Sequence, residues 1–186
     1  MILIGISGKK KSGKDTVYKF IQSLLPKVKV ERIAFADSLK DEIALATGVK
    51  VSFIEEEKDN FRTILQWWGT DFRRKYNGDD YWIKKFLDKV TRSDADVIVV
   101  TDVRFPNEAD TIRQVGGKLI RVNRIQDKKD LHPSEIALDN YRFDWTIIND
   151  YSLDILKTFV KQILTHILEE NKKLCTSPSS VQHLTK

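Results

Sequence analysis

The run Gly8-Lys9-Lys10-Lys11-Ser12-Gly13-Lys14-Asp15-Thr16 has the residue types and spacing of a turn that binds polyphosphate. Glycines let the backbone curl until successive N–H groups point at one anion, and a lysine at the end of the curl reaches the outer phosphates. The spacing fits G-x-x-x-x-G-K-[ST] except at its last position, where Asp15 stands. The hydroxyl arrives one residue late, at Thr16, turned by about 100° around a helix. In the usual pattern that hydroxyl is a Mg²⁺ ligand. Either Asp15 takes a metal role here, directly or through water, or the metal is held from elsewhere. Gly8, Lys11, Ser12, Gly13, Lys14, Asp15 and Thr16 are thus the candidate contacts to a nucleotide's phosphates. A glycine turn with solvated lysines would share this composition, but it would not need the strand before it and the helix after it.

Other residues able to do chemistry stand where apolar runs stop. Thr101-Asp102-Val103-Arg104 follows Val97–Val100. An acid after such a strand orients Mg²⁺ or its water shell in phosphate-binding turns of this kind, so Asp102 is the first metal candidate beside Asp15. Its alternative is a capping or ion-paired aspartate. Arg104, two residues on, matches a phosphate bidentately and keeps its charge; the alternative is a surface ion pair with Glu108 or Asp110. Asp37 and Lys40 lie one helical turn apart after Phe35-Ala36 and suit a phosphoryl acceptor, or else an N-cap and a solvated lysine. Arg62, Gln66 and Arg73 recur at spacings that put them roughly on one helical face. Gln66 suits a base edge, and Trp67 or Trp68 suits stacking on it, although aromatics on a helix also serve as core. Trp82 and Trp145 read as core. His132 has no second His or Cys at ligand spacing, so zinc is not supported. No Ser or Cys sits in an activating context for covalent catalysis.

These groups need a scaffold that delivers them to one edge. Ile2–Ser7 reads as a strand, followed by a helix with Val17, Phe20, Ile21, Leu24 and Leu25 on one face. Val28–Phe35 reads as a second strand. A helix opens at Asp37 and stops near Thr47-Gly48; another runs from the acidic Glu55–Asp59 stretch to Arg73 or Arg74; a third starts at Asp79-Asp80. Val97–Asp102, with its β-branched run, suits a parallel strand covered on both faces. Pro106 begins a helix that ends at Gly116-Gly117; Lys118–Arg124 and Trp145–Ile148 read as strands. Leu153, Leu156, Val160, Ile163 and Ile167 make a core-facing stripe on the last helix. Such alternation predicts a mostly parallel sheet flanked by helices, with sites at the carboxyl edge of its strands. Residues 1–171 form the expected domain, and 172–186, poor in apolar residues, the expected disordered tail.

Composition narrows the rest. The chain has 186 residues and a net charge of +5, and its last fifteen residues hold three lysines and no acid. The body is therefore near neutral, with lysines concentrated in the turn, which favours small polyphosphates over nucleic acid as partners. No apolar run approaches the roughly 20 residues of a membrane span. A single cysteine, Cys175, and the absence of a signal-peptide pattern favour the cytoplasm.

Five blocks, in order, resemble the deoxynucleoside monophosphate kinases of tailed bacteriophages. They are Gly8…Ser12-Gly13-Lys14-Asp15, Phe35-Ala36-Asp37-Ser38-Leu39-Lys40, Leu65-Gln66-Trp67-Trp68-Gly69-Thr70-Asp71, Thr101-Asp102-Val103-Arg104-Phe105-Pro106-Asn107-Glu108 and His132-Pro133-Ser134-Glu135. The resemblance covers residues 1 to about 150. It implies an α/β P-loop kinase fold with a mobile lid, placed at Arg124–Asn140, and transfer of the ATP γ-phosphoryl group to a deoxynucleoside 5′-monophosphate (dNMP) with Mg²⁺. In that family the Gly-Lys-Asp ending is ordinary. Lys14, Asp102, Arg104 and Arg124 become the catalytic set, with Arg121 and Arg142 as further lid candidates. Asp37, Lys40, Arg62, Gln66, Trp67, Arg73, Arg104, Glu108, Ser134 and Glu135 become the acceptor set. A homodimer and an infected bacterial cytoplasm fit the same picture. The Lys-Ser-Gly-Lys-Asp ending also occurs in animal-type phosphomevalonate kinases, and a P-loop ATPase or nucleotide switch without a small acceptor is the alternative from another class.

Overall fold

A computed structural model describes residues 1–125 and 132–176, the side chains of 173–176 excepted. Five strands, β1 (Ile2–Ser7), β2 (Val30–Ile33), β3 (Val97–Val103), β4 (Lys118–Asn123) and β5 (Trp145–Ile148), form one sheet in the order β2-β3-β1-β4-β5. Every pairing is parallel. Helices α1 (Lys14–Leu24) and α9 (Leu153–Thr176) cover one face; α2 (Phe35–Thr47), α6 (Tyr81–Arg92) and α7 (Pro106–Gln114) pack over the other.

Period-two patterning explains the two layers. Leu3, Ile98, Val100 and Leu119 join the core of α2, α6 and α7, whereas Ile4, Ile6, Val97, Val99, Ile120 and Val122 join Val17, Ile21, Leu156, Val160 and Ile167. Strand β3 is buried on both faces, as its β-branched run requires.

Between α2 and α6 the chain crosses the sheet's carboxyl edge in short pieces: α3 (Val51–Glu56), α4 (Arg62–Gln66), a π-helical segment (Trp67–Arg74) and α5 (Lys75–Asn77). The fifth block supplies α8 (Pro133–Ile136), which lies after β4. Several boundaries move from those read in the sequence. Strand β2 is shorter than Val28–Phe35, because Phe35 already starts α2. Gly48 closes α2 with φ +72°, as a left-handed C-cap should. Helix α9 continues to Thr176, into the stretch read as tail; the remainder of that stretch, 177–186, lies outside the described residues, as does 126–131 within the expected lid. No helix among the described residues is long and apolar enough to cross a membrane.

Candidate active site

The turn between β1 and α1 has the strained backbone an anion cradle needs. Gly8, Lys11 and Gly13 have φ of 157°, 61° and 104°. A non-glycine residue in the left-handed region costs about 1–3 kcal/mol and collects at functional sites. Both glycines are also sterically required. A Cβ on Gly8 would lie 2.4 Å from the Val122 carbonyl, and one on Gly13 would lie 2.3 Å from the Asn149 amide nitrogen. Asn149, at the end of β5, donates to the Ser12 carbonyl (2.8 Å) and so ties the turn to the far strand. The buried Ser12 hydroxyl has no protein partner among the described residues.

Lys14 folds back over the turn, its ammonium donating to the carbonyls of Gly8 (2.7 Å) and Lys9 (2.8 Å). Burial, with Arg104 nearby, lowers its pKa from 10.5 to about 8, against the pull of Glu135, Asp15 and Asp102. Lys14 is thus the most perturbed cation at the edge, and the carboxylates proposed for metal both act on it.

Asp102 points from β3 to the start of α2. Its two oxygens accept the N–H groups of Phe35 and Ala36, each at 2.9 Å. The capping alternative is therefore realised. Its charge also acts on Lys14 at the same edge. Asp15 is exposed in the first turn of α1. Among the described residues no group of three acidic, His or Cys side chains forms a metal cage. Mg²⁺ does not need one, since it is bound through one or two carboxylates plus substrate phosphates. The donor set of Asp15, Thr16 and Asp102 fits that mode. Asp15→Ser is expected to leave metal-free nucleotide binding unchanged and to shift the Mg²⁺ titration of activity. An identical titration would leave Asp15 a helix-start acid alone.

Next to the turn, Glu135 gathers the cations. This nearly buried carboxylate on α8 accepts from the Lys10 amide (3.1 Å) and from Arg62 (3.1 Å), and pairs with Arg104, which also donates to the Ser134 carbonyl (3.2 Å). Burial opposes its charge, but Arg104, the Lys10 amide and Arg62 outweigh burial and hold the carboxyl below its ordinary range. The Arg104 side chain therefore pairs with Glu135 rather than with Glu108 or Asp110. His132 accepts the Ser134 N–H (3.2 Å) and caps α8.

Beyond Arg104 lies a cavity of about 150 Å³. Phe35, Leu39, Leu65, Trp82 and Phe105 form its apolar wall; Lys40, Arg62, Gln66, Thr70, Arg74, Asp102, Arg104, Glu108, Ser134 and Glu135 supply polar groups. Of the acceptor set, the structure brings Lys40, Arg62, Gln66, Arg104, Glu108, Ser134 and Glu135 to this wall and leaves three residues off it. Asp37 caps α2, accepting the Ala34 N–H (2.9 Å), and pairs with Arg32 (2.9 Å). Trp67 is half exposed and stacks on Phe72 at 5.5 Å. Arg73 turns away to Glu42 (2.7 Å).

The reason is the π-helical segment. An i→i+5 turn takes about one extra residue, so a face that starts at Arg62 and Gln66 continues to Thr70 and Arg74 instead of Arg73. Arg74 is buried, lies 4.0 Å over the Phe105 ring, donates to the Asp79 carbonyl (3.0 Å) and pairs with Glu108. Glu108 also accepts the N–H groups of Arg104 (2.8 Å) and Phe105 (3.1 Å). Burial pushes its carboxyl up to about 7, against Arg74 and those amides. Phe35, Phe105, Thr70 and Arg74 are wall residues that sequence reasoning missed. The first three lie inside the quoted blocks and Arg74 just beyond one, but the widened turn leaves no periodic signal.

On the other side of the turn, Arg121 and Arg124 from β4 and the residue after it border a polar groove with Lys9, Asn123 and Asp139. Arg121 is buried, bonded to Ser7 (2.9 Å) and Asp139 (2.9 Å), whereas Arg124 and Arg142 are exposed.

A phosphate-binding turn between the first strand and its helix, at the edge of a parallel sheet and beside a cation-rimmed cavity, defines a P-loop phosphotransferase. The family model described as phosphomevalonate kinase matches residues 6–118, and the chain belongs to that family. Among curated relatives, a protein of Acanthamoeba polyphaga mimivirus carries the provisional name deoxynucleotide monophosphate kinase. It is 29% identical over 190 residues, which cover 89% of this chain and 95% of that protein. The deoxynucleotide monophosphate kinase of enterobacteria phage T4 is 34% identical across 59% of this chain. The match spans 47% of the T4 protein's own length, so the chain covers about half of that relative and nearly all of the mimiviral one. Among solved structures, TT1252 from Thermus thermophilus superposes with a TM-score of 0.51 at 17% identity, covering 89% of this chain and 97% of the other, a likeness of fold.

Proposed function

We propose that the chain transfers the γ-phosphoryl group of ATP to a deoxynucleoside 5′-monophosphate, giving ADP and a deoxynucleoside diphosphate. The observation that carries this reading is the cavity across Arg104 from the P-loop. Its wall pairs two phenylalanines and an indole with Gln66 and Thr70, a lining that suits a flat base with hydrogen-bonding edges better than an aliphatic diacid. The mimiviral and phage relatives support the same acceptor.

Phosphoryl transfer of this kind is positioning and charge neutralisation. The P-loop amides and Lys14 hold the β- and γ-phosphates. Arg62 and Arg104 exchange Glu135 for the acceptor's phosphate and place its oxygen in line with the γ-phosphorus. Arg124 neutralises the group in flight. Mg²⁺, when bound, shields the charge on the phosphate oxygens, and Asp15, Thr16 and Asp102 would hold it or its water shell. The partners in this reading are small nucleotides rather than nucleic acid, and the viral relatives support the cytoplasm of an infected host as its setting.

The test is ADP release from ATP and Mg²⁺ with each common dNMP and with phosphomevalonate added separately. Stimulation by at least one dNMP is expected. Stimulation by phosphomevalonate alone would move the activity to the acceptor for which the matching family is named, and stimulation by none would leave an ATPase or switch.

A further inference from the structure

Arg73 and Arg74 are consecutive, yet they leave the π-helical segment in opposite directions. Arg74 goes inward to Glu108 on α7, Arg73 outward to Glu42 on α2. Glu42 is more than a partner for one arginine. Its carboxylate also accepts from the Trp68 indole N–H (3.1 Å) and the Tyr81 hydroxyl, and it lies 3.3 Å from the Lys85 ammonium. Burial opposes its charge, but these donors outweigh burial and hold the carboxyl below its ordinary value. The Arg73 guanidinium also lies 5.0 Å from the Phe72 ring centre and 5.2 Å from that of Tyr81. None of these groups lines the acceptor cavity.

A wide helical turn is intrinsically less stable than an α-turn and persists where its surroundings select it. Relaxing this segment to α geometry would rotate Arg73 toward the cavity and Arg74 away from it. Three contacts oppose that rotation. Glu42 holds Arg73 and Trp68 outside. Trp82 donates its indole N–H to the Gly69 carbonyl (2.9 Å). Gly69 lies so close to α2 that a Cβ there would sit 3.1 Å from Leu39.

We propose that Glu42 is a positioning residue for the acceptor site. By anchoring Arg73 and Trp68 on the outer face of the π-helical segment, it fixes the register that presents Thr70 and Arg74 to the cavity. This inference rests on that cavity being the dNMP site.

The test is steady-state kinetics of Glu42→Gln and of Glu42→Asp, which keeps the charge one methylene further back. Calorimetric dNMP binding and near-ultraviolet circular dichroism of the Trp67–Trp68–Phe72 cluster accompany the kinetics. Misplacing wall groups at a distance from the chemistry is expected to raise the acceptor KM and Kd of Glu42→Gln about tenfold, with the aromatic signal altered. The KM for ATP should stay within about twofold, since the P-loop is untouched. Glu42→Gln combined with Arg73→Gln should be no worse than Glu42→Gln alone, because the arginine's anchor is already lost in it. An unchanged acceptor KM in a folded variant, or equal losses for ATP and acceptor, would overturn the assignment. Should Glu42→Gln fail to fold, Glu42→Asp carries the same comparison. A wild-type enzyme that phosphorylates no dNMP would refute the proposed function and this inference with it. A working wild type beside a variant of unchanged acceptor KM refutes this inference alone.

Discussion

Lys14→Ala is expected to lower kcat by about 10²–10³-fold, the usual loss when one preorganised charge aimed at the transition state is removed. Lys14 is half sequestered before any substrate arrives, its ammonium shared between two carbonyls of its own loop. A triphosphate offers stronger, charged acceptors, so binding exchanges neutral bonds for ionic ones at little reorganisation. Burial lowers the pKa to about 8 in the free protein, and the phosphates favour the protonated form. Nucleotide affinity should therefore fall as pH rises through that value, and binding at about pH 9 should draw a proton from solution. Calorimetry in buffers of different ionisation enthalpy reads this uptake directly. The linkage on stability has the opposite sense. Between about 8 and the model-compound value of 10.5 the unfolded chain holds the extra proton, so the folded form gains stability as pH rises across that window. Retained kcat in Lys14→Ala, or proton uptake that persists in it, would remove the lysine from its role.

Glu108→Ala should cost about 3–5 kcal/mol of folding stability, the scale for breaking one side of a buried charge pair. Three donors lose their acceptor together: the buried Arg74 guanidinium and the amides of Arg104 and Phe105. The midpoint of urea unfolding measures the loss. A decrease below about 1 kcal/mol would mean that water reaches Arg74 after all. Glu108→Gln, which can still accept from the amides, should lose less. Its place in a sequence block marks the residue for substrate. The structure gives it a second duty, holding both the turn that carries Arg104 and the arginine that closes the cavity.

That contrast shows how far the sequence could be read. The P-loop was legible because glycine spacing, a preceding strand and a following amphipathic helix are all local properties. Strand β3 was legible because burial on both faces requires an unbroken β-branched run. Helix starts at Phe35 and Pro106 are nearly legible, but the acids that cap them are not separable from ligands: Asp37 and Asp102 at α2, and Glu108 at α7, satisfy backbone amides with the same oxygens that could meet substrate or metal. The face of the helix after Arg62 ends on a different arginine from the one its period suggests. A period of 3.6 carries Gln66 to Arg73, whereas the wide turn, selected by partners on α2, α6 and α7, carries it to Arg74. The carboxylates that sort the two arginines, Glu42 and Glu108, lie 31 and 34 residues away from them, so no local window contains the information.

The position of β1 has a consequence for biogenesis. This strand finds its neighbours only in β3 and β4, at residues 97–103 and 118–123. As a nascent chain leaves the ribosome, the nucleotide grip emerges about 80 residues ahead of β3 and about 100 ahead of β4, the strands that flank it. Closing so long a loop is entropically slow, and an unpaired apolar strand is exposed meanwhile. The catalytic turn is thus translated early and matures late, and a chain that halts before β4 would release the phosphate-gripping segment without the sheet that shapes it.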